Sequence, residues 1–118
     1  MLLCSFVQKC CKYALFPIEH HYFELINDNH LITNKNPGAG TSVHTKLEQP
    51  IHQLAKDSIK QLPWRKLLCR LIAERKPEII IELGTSFGIT TAYIALSNPD
   101  AKVYTFEANP TLIQYSKD

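Results

Sequence analysis

The chain has 118 residues, 45% of them hydrophobic and 20% charged, an ordinary globular composition sufficient for one small domain or part of a larger one. Its formal net charge of +2 does not by itself mark a nucleic-acid or membrane partner. No apolar run approaches the roughly 20 residues that a membrane span needs.

Met1-Leu2-Leu3-Cys4-Ser5-Phe6-Val7 lacks the basic leader of a signal peptide and is interrupted by Gln8-Lys9, so a cytoplasmic protein is expected. Cys4, Cys10, Cys11 and Cys69 form no CxxC pair and no metal spacing, which points to reduced, packed thiols. No metal ligands are assigned.

Apolar pairs at Leu2/Leu3, Phe6/Val7, Cys10/Cys11 and Ala14/Leu15 recur every four residues, which predicts a helix over 2–16 that Pro17 stops. His20 to Ile26 reads as a second short helix ended by Asn27-Asp28-Asn29. From Thr33 to Pro50 the chain is polar and loop-like around Asn36-Pro37-Gly38-Ala39-Gly40-Thr41-Ser42. Gly38-Ala39-Gly40 reads as a turn, because neither a strong strand before it nor a phosphate-binding lysine after it is present. His20, His21, His30, His44 and His52 have no metal spacing; most read as surface residues, and nothing selects one as a general base. Two regions are expected: a helical segment and loop over 1–50, and the first part of an α/β domain over 51–118.

Residues 51–61 look helical, with Ile51, Leu54, Ala55 and Ile59 on one face. A new helix starts at Pro63-Trp64, where proline suits the first turn. Trp64, Leu67, Leu68, Leu71 and Ile72 form its expected buried stripe, and Arg65, Lys66, Arg70 and Glu74 its wet side. Ile79-Ile80-Ile81 is a β-branched run of the kind found in parallel strands covered on both faces. After a glycine turn a helix is expected over 89–97, then a strand over 102–106. Asn109-Pro110 opens a last helix. The implied unit is a right-handed βαβ crossover. Its two strands alone leave both edges open and much apolar surface bare.

This unit carries the chemistry. Gly84 stands at the carboxyl end of the first strand, where a side chain would block a ligand lying over the turn. Gly88 lets the helix pack closely on the strand. Amides of the turn and first helical residues are expected to face the crevice, where the helix dipole favours a carboxylate or phosphate. Thr85, Ser86 and Thr90 add hydroxyls, and Glu82 offers an anion for an ammonium group. Glu107 follows Gly84 by 23 residues, close to the ~20-residue spacing at which an acid accepts ribose hydroxyls. A ligand bearing an ammonium, a carboxylate and a ribose fits this set, as S-adenosylmethionine does. A dinucleotide fits less well, because the pattern is G-x-x-x-G and Glu82 would face a pyrophosphate.

Glu82-Leu83-Gly84-Thr85-Ser86-Phe87-Gly88-Ile89-Thr90-Thr91 resembles motif I of class I S-adenosylmethionine-dependent methyltransferases, in the form common among O-methyltransferase-like members. Phe106-Glu107-Ala108-Asn109-Pro110 resembles their acidic motif II. Gly38 to Thr41, Ala55 to Ser58 and Leu67 to Leu71 are similar to the N-terminal region of a bacterial, Bacteroidetes-type subgroup. The resemblance covers about two-thirds of the chain. It implies a Rossmann-like α/β fold, here truncated after the second strand and the start of the following helix, with an N-terminal helical region. It implies that Glu82 binds the methionine amino group, Gly84 lines the methionine and ribose, Thr90 meets the carboxylate and Glu107 holds the ribose hydroxyls. The family's later strands, adenine-binding segment and catalytic residues have no counterpart before Asp118, so no catalytic residue is assigned.

The expected reaction is methyl transfer to an oxygen or nitrogen of a small acceptor. The alternatives are a non-catalytic fragment or binding module whose open sheet is covered by a partner or a second copy, and a nicotinamide-dependent Rossmann enzyme.

Overall fold

A computed structural model describes residues 15–33 and 48–116 of the chain. The elements are α1 over 15–25, β1 Leu31–Thr33, β2 Glu48–Pro50, α2 Ile51–Ser58, α3 Leu62–Arg75, β3 Ile79–Leu83, α4 Ile89–Ser97, β4 Lys102–Phe106 and α5 Pro110–Tyr115. Gly38-Ala39-Gly40, His44 and most of the expected first helix lie outside the described residues.

The βαβ unit sits where the residue pattern puts it. β3 and β4 pair in parallel, Ile79 opposite Lys102 through Leu83 opposite Phe106. The crossover helix α4 starts after Gly88, which caps it at φ 77°, a backbone conformation that suits glycine. Asn109 caps α5 by accepting from the Thr111 N–H at 3.0 Å, and Pro110 occupies the first turn. The mixed helix-strand order with a parallel pair is an α/β arrangement.

Three local expectations are corrected. Pro17 lies inside α1 and does not stop it. A helical proline loses its hydrogen bond to the carbonyl four residues back, and residue 13 lies outside the described residues. Residues 31–33 and 48–50 are not loop but a short antiparallel pair, Leu31 opposite Pro50 and Thr33 opposite Glu48. The α3 face is also rotated. Trp64, Leu67 and Leu71 are exposed, while Arg65 and Cys69 are buried. Glu19 of α1 explains this, because the Arg65 Nη1–H donates to its Oε1 at 2.7 Å. The guanidinium lies 4.5 Å from the Tyr22 ring centroid and 5.0 Å from that of Tyr93. Paired and stacked in this way, a charge can occupy the position that periodicity assigns to water.

One core joins α1, the β1–β2 pair, α2, α4 and α5 through Leu25, Ile32, Ile51, Leu54, Ala55, Ile89, Tyr93 and Leu112. Among the described residues the sheet is not covered on both faces as expected for β3. Ile79, Ile81 and Leu83 and their register partners Tyr104 and Phe106 are exposed, whereas Ile80, Glu82 and Val103 are part-buried on the other face. Among the described residues no helix is long and apolar enough to cross a membrane.

Candidate functional site

The glycine turn between β3 and α4 is held by the strand beside it. The N–H groups of Gly84 and Thr85 both donate to the Phe106 carbonyl, at 2.8 and 3.2 Å. Gly84 adopts φ 96°, and a methyl group built on it would meet nothing within 4 Å. Space above the turn is therefore open. Ser86 is left-handed at φ 51°, uncommon for a non-glycine residue. Two contacts hold it there: its N–H donates to Glu107 Oε2 at 2.8 Å, and its hydroxyl meets that of Ser58 at 2.7 Å.

Glu107 and the turn, 21 residues apart from Ser86, thus come together as the spacing suggests. Its second oxygen, Oε1, accepts the Asn109 N–H at 2.8 Å. Both oxygens take backbone amides, and among the described residues neither takes a cation. Each retains lone-pair capacity for further donors.

Glu82, the penultimate residue of β3, is half-buried on the face beneath α4. Its Oε2 accepts the Thr91 hydroxyl at 2.5 Å and the Thr105 hydroxyl at 2.8 Å. Thr105 is its register partner on β4. Thr85 is buried, and its hydroxyl lies 2.6 Å from that of Thr105. Since Thr105 spends its proton on the carboxylate, Thr85 donates to Thr105.

The amides are more heavily committed than the sequence suggests. Those of Gly84, Thr85, Ser86 and Gly88 have acceptors within the protein, Gly88 donating to the Thr85 carbonyl at 2.9 Å. The first intrahelical bond of α4 runs from Ala92 N–H to the Gly88 carbonyl. The amides left without an intrahelical acceptor therefore belong to the first turn of α4 rather than to the glycine loop. Thr90 stands in that turn.

A cleft of about 620 Å³ opens between α4, α5 and the end of β4. It is lined by Thr85, Gly88 and Glu107 from the expected set, and by Thr91 and Thr105. Glu82, Gly84, Ser86 and Thr90 do not line it, so cleft and glycine turn adjoin without coinciding. Of the histidines, His20 and His21 face Glu24 and His30 faces Asp28, all at exposed positions.

Sequence reasoning missed Ser58, Thr91 and Thr105. Thr105 had a readable trace: it is the one aliphatic hydroxyl in the strand Lys102–Phe106 and stands two residues before Glu107. Ser58 reaches Ser86 across 28 residues, a contact no local pattern announces.

No protein-family model and no curated protein matches the chain. Among solved structures, the chain is similar to one described as a candidate caffeoyl-CoA O-methyltransferase from Staphylococcus aureus, at 34% sequence identity and a TM-score of 0.48. The match covers 50% of this chain and 28% of that one.

Proposed function

We propose that the chain binds S-adenosylmethionine over the carboxyl end of β3, as the cofactor half of a class I methyltransferase acting on an oxygen or nitrogen acceptor. The observation that carries this reading is the 2.8 Å contact between Ser86 N–H and Glu107, which joins the glycine turn to the acid expected to hold a ribose. The residues present fit the ligand. Gly84 leaves open space over the turn, Glu82 keeps one oxygen without a partner among the described residues, and neither glutamate is ion-paired there. An ammonium at Glu82, a carboxylate at the first turn of α4 with Thr90, and hydroxyls at Glu107 would each meet its complement.

When bound, S-adenosylmethionine supplies a sulfonium-activated methyl group. This chain's part is to bind and orient. Glu82 fixes the amino-acid end, Glu107 fixes the sugar, and the distance between them sets where the methyl is presented. Holding donor and acceptor in line is worth several kcal/mol of barrier, up to about 7–11 in the best-oriented cases.

Isothermal titration of S-adenosylmethionine against the chain tests the proposal, with saturable one-to-one heat as the expected result. Absence of binding at millimolar ligand overturns it. A second reading, a binding module whose sheet another polypeptide completes, is supported by the bare side chains of Ile79, Ile81, Leu83, Tyr104 and Phe106. A chain that is monomeric by light scattering and binds the cofactor counts against that reading.

A further inference from the structure

We infer that Thr91 and Thr105 are positioning residues that aim the free oxygen of Glu82 at the ligand's ammonium group. The inference rests on the cofactor reading above and adds what sets its amine selectivity.

A glutamate at the end of a strand has three side-chain torsions, and holding a lone carboxylate in one orientation costs rotamer entropy. Here two hydroxyls from different elements, Thr91 of α4 and Thr105 of β4, converge on the same atom, Glu82 Oε2. Their protons can go nowhere better, since an ionised carboxylate only accepts. Thr85, in the turn itself, donates to Thr105 and so ties the turn to the same carboxylate. The hydroxyl chain runs one way, from Thr85 to Thr105 to Glu82, with Thr91 joining from the helix. Oε1 has no partner among the described residues, and Glu82 makes no ion pair there. Two donors on one oxygen thus leave the other fixed in direction and open to a further donor. That is the arrangement an ammonium requires, and a neutral substituent at the same place gains little from it.

The test compares two probes, S-adenosylhomocysteine and its analogue in which hydrogen replaces the amino group, titrated calorimetrically against wild type, Thr91→Val, Thr91→Ser and Thr105→Val. Valine keeps the shape and removes the hydroxyl. Each valine variant is expected to weaken the amine-bearing probe about tenfold and the deaminated probe less than about twofold, so that the selectivity ratio collapses. Thr91→Ser, which keeps the donor, is expected to retain the wild-type ratio. If both probes weaken together, or the ratio does not move, the hydroxyls merely satisfy a half-buried acid and the inference is wrong. Thr105→Val reads the ratio from the other donor, so a Thr91 variant that fails to fold does not remove the test. Wild type that binds both probes equally overturns this inference alone. Wild type that binds neither overturns the cofactor reading and this inference with it.

Discussion

Glu19 and Glu82 are both carboxylates held by a hydroxyl, yet their remaining partners are of opposite kinds. Glu19 accepts on one oxygen, Oε1, from the buried Arg65 guanidinium and the Tyr93 hydroxyl, which neutralises it and clasps α1 onto α3 and α4. Among the described residues Glu82 accepts only hydroxyls and has no cation beside it. A cation beside an acid closes a structural contact, whereas neutral donors orient an acid and leave its demand for a cation unmet. The contrast predicts that substitutions at the two sites separate stability from binding. Glu19→Ala leaves Arg65 buried and unpaired. Because Glu19 is itself 35% exposed, the expected loss is at the low end for a broken buried pair, about 3 kcal/mol in urea unfolding. Glu19→Leu with Arg65→Met should recover most of it. A loss below about 1 kcal/mol would mean the clasp is ordinary surface pairing.

The matching change on the other side is Glu107→Ala. On the cofactor reading proposed above it removes an acceptor for two ligand hydroxyls, and the expected cost is about 2 kcal/mol of S-adenosylmethionine affinity, roughly thirtyfold in Kd. Its effect on unfolding should be no larger, about 1–2 kcal/mol, since the freed amide of half-buried Ser86 can turn to water while that of buried Asn109 loses its acceptor. If the loss appears in unfolding and not in binding, Glu107 belongs with Glu19 as a structural acid.

The two sites were not equally legible in the sequence. The βαβ unit could be read because its cues are local: a β-branched run, glycines where φ is positive, and Asn109-Pro110 at a helix start. The expected spans 89–97 and 102–106 agree with Ile89–Ser97 and Lys102–Phe106. The clasp could not be read. Periodicity put Trp64 inside and Arg65 outside, and what reverses them is Glu19, 46 residues away. The β1–β2 pair, three residues a strand and joined across 34–47, offered no alternation long enough to register. At the candidate site, Glu107 was placed by its spacing from Gly84. The hydroxyls that orient Glu82 follow from the strand register, which residue types alone do not fix.

The two glycines divide the candidate site along the same line. Both have positive φ, 96° at Gly84 and 77° at Gly88, so alanine at either should cost about 1–2 kcal/mol of stability through backbone strain. They differ in surroundings. A methyl on Gly88 would meet the Ser116 side chain at 3.6 Å, an ordinary contact, whereas one on Gly84 would enter open space. If that space receives the ligand, Gly84→Ala loses about a further 1 kcal/mol of S-adenosylmethionine affinity and Gly88→Ala does not. Equal binding losses would place the ligand elsewhere.

The smallest effect concerns the clasp and needs only a pH series. Burial, and then the hydrogen bond and charge of Glu19, push the Tyr93 phenol above its ordinary value near 10, against a smaller opposing pull from Arg65. The folded state therefore holds this proton more tightly than the unfolded chain does. Stability from this source is fully present below pH 10 and is lost as the pH rises toward the elevated folded value. The slope is at most about 1.4 kcal/mol per pH unit, so between pH 9.5 and 10.5 the expected change is under about 1 kcal/mol. Tyr93→Phe removes the titrating group and should flatten that limb relative to wild type, while lowering the plateau at pH 8 through the lost bond to Glu19. Parallel limbs in the two proteins would mean that Glu19 does not hold the phenol, and that the clasp rests on Arg65 alone.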